Sequence, residues 1–271
     1  MNNMTIRILF AVIAAPITLF LLYWHQYTRL GLVISLLTIG AWEWSRMVAS
    51  QISGPKMHFT TPFFTFILAM GWAVHGKHPY ILAFLAAMLL LSYIVIAFIK
   101  VDVENIYRWL SLHISAPLYM GLWGGLSLTF LGTGRGFHSS AAFITVMLAM
   151  WVCDTFAYFT GRLFGSRKMA PQISPKKTWE GAAGGTLFTM SFIAVIGPWA
   201  FKTALLTNLV LGFLLSFAGQ AGDLLMSALK RWSGFKDSSR IFPGHGGVLD
   251  RMDSLLLSAP LVATIMMVLG G

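Results

Sequence analysis

Acidic side chains are scarce in this sequence: nine Asp and Glu stand against 19 Lys and Arg in 271 residues, and charged residues make up only 10% of the chain. A soluble domain carries roughly a quarter charged residues, and an apolar share of 57% exceeds what a water-soluble core can hide. An ordinary soluble domain is thereby excluded. Cysteine is scarcer still. Cys153 stands alone, which excludes an internal disulfide and leaves a structural thiol inside an apolar run. Long polar stretches, repeats and low-complexity tracts are also missing, so the sequence offers no material for an independent aqueous domain.

What is present is a succession of apolar runs of roughly 17 to 25 residues, the length with which an α-helix crosses ~30 Å of hydrocarbon. Nine such runs are predicted to span, at about 8–24, 30–50, 59–75, 79–99, 110–131, 140–164, 181–201, 204–229 and 253–270. The predicted fold is all-α, a polytopic integral membrane protein with about nine transmembrane helices and a single domain over 1–271. The first run follows Arg7 and contains Ala-Ala-Pro. It is longer than a signal-peptide core and is followed by further spans, so it reads as an uncleaved helix. The third run is the weakest, with Gly54, Pro55 and Pro62 at its start and Gly71, His75 and Gly76 near its end.

Strict alternation of nine spans puts 15 of the 19 basic residues on one side and leaves Arg29, Lys77, Arg135 and Lys202 on the other. Lys and Arg concentrate in cytoplasmic connectors, so the expected location is the cell's inner membrane, with the N-terminus cytoplasmic. The net charge of +10 does not point to nucleic acid, because the cations sit in connectors rather than on a soluble face with interleaved aromatics. Two connectors dominate, Arg162 to Lys177 and Lys230 to Arg251, each with five Lys or Arg. Phosphate chemistry is to be sought there, facing the cytoplasm.

Carboxylates inside spans are costly unless they meet a cation, a proton or water. Asp154 lies about ten residues, or ~15 Å of helical rise, from the cytoplasmic end of the sixth run, with Tyr158 and Arg162 at i+4 and i+8 on the same face. The stripe reads equally as a functional acid or as an internal hydrogen-bonded ladder. Asp223 lies in the eighth run with Ser227 and Lys230 on its face, and Asp250 and Asp253 open the ninth. Hard oxygen ligands beside Lys and Arg are what Mg²⁺ and a polyphosphate require. Asp223 and Asp250 are the leading metal candidates. Asp253, for which a first-turn charge on its helix is the lesser reading, and Asp154 stand behind them, and a second cation is allowed. Glu43 and Arg46, flanked by Trp42 and Trp44, read as a snorkelling ion pair in an aromatic belt.

The segment 227–253 is S-A-L-K-R-W-S-G-F-K-D-S-S-R-I-F-P-G-H-G-G-V-L-D-R-M-D. Pro243, Gly244, Gly246 and Gly247 make a tight backbone that can approach a phosphate, and Lys230, Arg231, Lys236, Arg240 and Arg251 supply cations. His245 sits inside that turn, as a loop-fixing hydrogen-bonding group or a phosphate contact.

This segment resembles the signature of the phosphatidate cytidylyltransferase (CDP-diacylglycerol synthase) family at Ser227, Lys230, Arg231, Lys236, Asp237, Pro243, His245, Gly246, Gly247, Asp250, Arg251 and Asp253. The stretches S-P-K-K-T-W-E-G at 174–181 and D-T-F-A-Y-F-T-G-R-L-F-G at 154–165 look like the same family, so that the resemblance covers about 150–255. One departure is Ser238-Ser239, where many relatives would have Phe-Gly. The resemblance implies a Mg²⁺-dependent transfer in which the phosphate of phosphatidic acid attacks the α-phosphorus of CTP, giving CDP-diacylglycerol and pyrophosphate for phospholipid synthesis. It places Asp223 and Asp250 at the metal and Lys230 beside them. Ser174, Lys176, Lys177 and Thr178 would cradle phosphates, with Ser227, Arg231, Lys236, Asp237, His245, Gly246, Gly247 and Arg251 completing the substrate site. Glu180 reads as a ligand or as a helix N-terminal charge. The implied partners are CTP, phosphatidic acid and membrane lipids, with a homodimer as an allowed assembly.

Two other readings compete. A CTP-dependent kinase of a lipid alcohol would give phospho-lipid and CDP instead of CDP-lipid and pyrophosphate. A secondary transporter would use Asp154 and Asp223 near midplane to bind protons or Na⁺, but it would carry functional residues in both halves, whereas here they lie almost wholly in the C-terminal one.

Overall fold

Backbone groups cannot be left unpaired in hydrocarbon, so apolar runs of this length fold as helices. Helices dominate the computed structural model, which describes residues 3–75, 78–128 and 137–270. Gly76, Lys77 and Arg135 lie outside the described residues. Gln26–Ala49, Tyr80–Lys100, Ser140–Phe164, Trp179–Ala200 and Leu205–Trp232 are five helices long and apolar enough to cross a bilayer. Val12–Trp24, Thr60–Val74 and Leu255–Leu269 are apolar but shorter. Several apolar helices of this kind mark a membrane protein.

The chain divides into two compact units. The first comprises Met1–Gly132 and returns at Trp232–Arg251. Its helices are α1 (Asn3–Trp24), α2 (Gln26–Ala49), α3 (Thr60–His75), α4 (Pro79–Lys100) and α5 (Ile106–Ala116). His25 caps α2, its ring nitrogen accepting from the Tyr27 N–H at 3.3 Å. Met57, Leu68, Leu89, Tyr93, Ile106 and Trp109 form a buried core. Trp109 donates its indole N–H to the Pro55 carbonyl at 3.2 Å.

The fifth apolar run is not one regular helix. After α5 the chain passes through a π-helical segment, Pro117–Trp123, and a 3₁₀ turn, Gly124–Ser127. Pro117 has no N–H to give the preceding turn, and a break in the regular ladder follows from that. Trp72 of α3 donates its indole N–H to the Leu122 carbonyl at 2.6 Å. The residues of this run beyond Leu128 lie outside the described ones.

The second unit comprises Thr133–Arg231 and Met252–Gly271. It contains α6 (Phe137–Phe164), a hairpin of β1 (Lys168–Ala170) and β2 (Ser174–Thr178), α7 (Trp179–Ala200) and α8 (Leu205–Trp232). A single turn, α9 (Leu249–Met252), bridges the two stretches of sequence and leads into α10 (Leu255–Gly270). The strands pair antiparallel, Lys168 opposite Thr178, a small exception to an all-helical expectation. Glycines set the spacing of α6 and α7. A methyl group at Gly181 would strike the Ala157 carbonyl, and one at Gly185 the Cys153 carbonyl. This is small-residue packing of the kind membrane helices use to approach closely. Gly222 on α8 likewise lies against the Asp253 carbonyl.

Candidate active site

In the second unit the seam between α6 and α7 opens into a cleft of about 410 Å³, within the range of small-molecule sites. Asp154, Tyr158 and Arg162 line it from α6, Lys168, Lys176, Lys177 and Thr178 from the hairpin, and Gln220 and Asp223 from α8. The three α6 residues are one turn apart, as their spacing requires, and Arg162 donates to the Tyr158 hydroxyl at 3.1 Å. The hairpin turn is closed by the Ile173 N–H on the Ala170 carbonyl at 3.1 Å, and β2 runs directly into α7. Thr178, 5% exposed, is the N-cap of that helix, its hydroxyl accepting from the Gly181 N–H at 3.1 Å. Glu180 takes the Ser166 hydroxyl at 2.7 Å and the Arg167 N–H at 3.2 Å, fastening the loop ahead of the hairpin.

Lys177 and Asp223 form an ion pair at 2.5 Å, each side chain about a quarter exposed. Ser227, one turn on from Asp223, donates to its other oxygen at 3.2 Å. Asp253, in the turn before α10, is partly buried, and burial followed by the Asp223 carboxylate raises it above the usual carboxylate range. Lys230 opposes that shift. Ser174 is half-buried and Lys176 exposed on β2, and Arg231 reaches back to the Ile173 carbonyl at 3.3 Å. Gln220 drew no attention in the sequence. It lines the cleft and donates to Ser216 at 2.8 Å.

The signature connector belongs mainly to the first unit. Phe242 and Gly246 bridge as a minimal hairpin, and the His245 N–H returns to the Phe242 carbonyl at 2.9 Å. Pro243 followed by Gly244 at φ 75° is the arrangement of a type II turn. His245 packs on Phe10 with ring centroids 5.1 Å apart, and Lys236, Asp237, Arg240 and Arg251 are exposed. Asp250, by contrast, is buried at 9% exposure. Its Oδ2 accepts from the Ser238 N–H at 2.8 Å, the Ser238 hydroxyl at 2.9 Å and the Gly247 N–H at 2.9 Å.

Glu43 departs from the snorkelling reading. It is fully buried, and Arg46 instead lies over the Trp42 ring at 4.7 Å. Trp44 is no belt residue either, being 6% exposed with its indole N–H on the Leu112 carbonyl at 3.1 Å. Glu43 accepts from the hydroxyls of Ser238 and Ser239 at 2.8 and 2.5 Å. It also takes the N–H groups of Val248 and Leu249 at 3.0 and 2.8 Å. The sequence signal that could have found it was the polar Ser238-Ser239 pair in an otherwise family-like segment.

Among the described residues no three His, Cys, Asp or Glu side chains gather into a closed metal cage. A closed cage is the wrong test for Mg²⁺, which is held by one or two carboxylates together with substrate phosphates and water. The Asp223 and Asp253 carboxylates fit that chemistry as hard oxygen donors. Asp250 fits it through its hydrogen-bonded carboxylate, since ligating carboxylates are themselves held by such bonds.

The pattern of the cytidylyltransferase family matches residues 5–269. A phosphatidate cytidylyltransferase of Pseudomonas aeruginosa is 33% identical over 270 residues, covering 97% of each chain. One of Brucella melitensis is 33% identical over 279 residues, covering 97% of this chain and 93% of its own. One of Haemophilus influenzae is 43% identical over 129 residues, 46% of this chain and 45% of its own.

Proposed function

The chain belongs to the cytidylyltransferase family, and from that premise we propose that it transfers the cytidylyl group of CTP to phosphatidic acid, giving CDP-diacylglycerol and pyrophosphate. The observation that carries this reading is the cleft lined by Arg162, Lys168, Lys176 and Lys177 together with Asp154 and Asp223. The cations suit the non-bridging oxygens of a triphosphate, and the carboxylates suit the cation such a substrate brings.

The attacking group, a lipid phosphate, is already an anion, so the reaction needs alignment and charge neutralisation more than a general base. Lys177 supplies an ammonium next to Asp223 and can hold a phosphate oxygen as readily as it holds that carboxylate. Lys176 and Lys168 extend the positive wall along the hairpin, and Lys230 adds charge near Asp253. Thr178 fixes the start of α7, keeping the lysines of β2 at a set distance from α6. Asp223 and Asp253 in the second unit, and Asp250 in the first, are each proposed as a carboxylate ligand for Mg²⁺, which when bound would neutralise the triphosphate and polarise its α-phosphorus. Ser174, Ser227 and Arg231 in the second unit, and Lys236, Asp237, His245, Gly246, Gly247 and Arg251 in the first, are proposed as contacts to substrate.

The same proposal includes nine crossings within a single domain, an inner-membrane location, a cytoplasmic N-terminus and a site open to the cytoplasm, where CTP is available and the lipid phosphate lies at head-group level. What supports it is the concentration of Lys and Arg in alternate connectors. The test of function is to give the detergent-purified chain CTP, Mg²⁺ and phosphatidic acid and weigh the lipid product. A mass corresponding to CDP-diacylglycerol is expected. Phospho-lipid with CDP, or no product, would reject the assignment.

A further inference from the structure

A fully buried carboxylate is costly unless its lone pairs are satisfied. Glu43 meets that requirement within one short segment: the Ser239 hydroxyl and the Val248 and Leu249 N–H groups donate to it, and the Ser238 hydroxyl lies 2.8 Å from its Oε2. A carboxylate has about four acceptor sites, so the segment 238–249 is wrapped around this one side chain. The Ser238 hydroxyl is also 2.9 Å from Asp250 Oδ2, so its single proton is shared between the two acids and it bridges them. The glycines report the same arrangement from the backbone side. A side chain at Gly247 would collide with Ser238 Oγ and a Glu43 oxygen, and one at Gly246 with the Asp250 carboxylate. The adjacent glycines leave room for two carboxylates.

We propose that Glu43 is a positioning residue of the transfer reaction. Through Ser238, and through the N–H groups that open α9, it fixes the orientation in which Asp250 meets its cation. The proposal rests on the reading of Asp250 as a metal ligand and adds to it a residue from α2, some two hundred positions away in sequence. Glu43 does not touch substrate. Its effect is felt in cation affinity and in turnover, and far less in CTP binding.

Glu43→Gln keeps the shape but turns an NH₂ toward an N–H of Val248 or Leu249 that cannot reverse its direction. Ser238→Ala removes the bridge and leaves Glu43 in place. Both, with Asp250→Asn, are purified as full chains in detergent. Mn²⁺ alone is titrated and followed by electron paramagnetic resonance, thermal melting checks the fold, and turnover is measured against Mg²⁺ and CTP. Loss of an outer-shell partner costs roughly 10–100-fold in metal affinity or activity. Glu43→Gln and Ser238→Ala are therefore expected to weaken Mn²⁺ binding about tenfold or more and lower kcat, with the KM for CTP within about twofold.

Wild-type Mn²⁺ affinity and kcat in folded Glu43→Gln, with Asp250→Asn impaired, would overturn the role of Glu43 alone. Wild-type Mn²⁺ affinity in Asp250→Asn, or no Mn²⁺ binding by the wild-type chain, would overturn it together with the metal reading beneath it. Should Glu43→Gln fail to fold, Ser238→Ala decides by the same criteria.

Discussion

One oxygen of Asp250 accepts from the Ser238 and Gly247 N–H groups and lies beside the Ser238 hydroxyl that it shares with Glu43, so its orientation is set before any ligand arrives. An Asn in its place can present its carbonyl oxygen to those donors and preserve the turn, while the negative charge is lost. Asp250→Asn is expected to remain folded and inserted yet lose roughly 100-fold or more in turnover, checked by product formation beside a size-exclusion profile. Near-normal turnover would remove Asp250 from the metal site. Lys177 makes a different test, because its ammonium is paired with Asp223 at 2.5 Å. Lys177→Ala is expected to raise the CTP concentration needed for half-maximal rate by about tenfold, the scale of a charge-assisted contact. An unchanged CTP dependence would leave Lys177 with a role in topology alone.

At the scale of elements, the cleft depends on how closely α6 and α7 approach. Gly185 faces the Cys153 carbonyl and the Ala157 side chain with no room for a methyl group, whereas nothing lies within 4 Å of Gly31 on α2. Gly185→Val is expected to destabilise the protein by about 1–3 kcal/mol and to lower turnover with it. Gly31→Ala is expected to leave the melting temperature unchanged, as thermal melting of the two variants would show. The seam was hidden from sequence reasoning because glycines within an apolar run do not say which helix they face. The hairpin was hidden for another reason, since S-P-K-K-T carries charge without the alternation that marks a strand. The Pro-Gly-His-Gly-Gly turn was legible, because its geometry is decided by residues adjacent in sequence. Glu43 was not, because its hydrogen-bond partners lie far along the chain and nothing near it in sequence distinguishes a buried clamp from a surface acid.

At the scale of the molecule, the apolar runs already identified a helical membrane protein, since length and hydropathy are properties of each run alone. The division into two units was not visible, because the return of Trp232–Arg251 to the N-terminal unit depends on tertiary contacts such as those of Glu43. If the cation reading holds, chelation should abolish turnover and excess Mg²⁺ restore it, with the melting temperature recorded in parallel to separate catalysis from folding. The central claim is that CTP is cleaved between its α- and β-phosphorus atoms, and position-labelled CTP tests it most directly. With phosphatidic acid and the purified chain, label at the α-phosphorus should pass into lipid and label at the γ-phosphorus into pyrophosphate. Label from the γ-position appearing in lipid, with the α-label retained in CDP, would contradict the account.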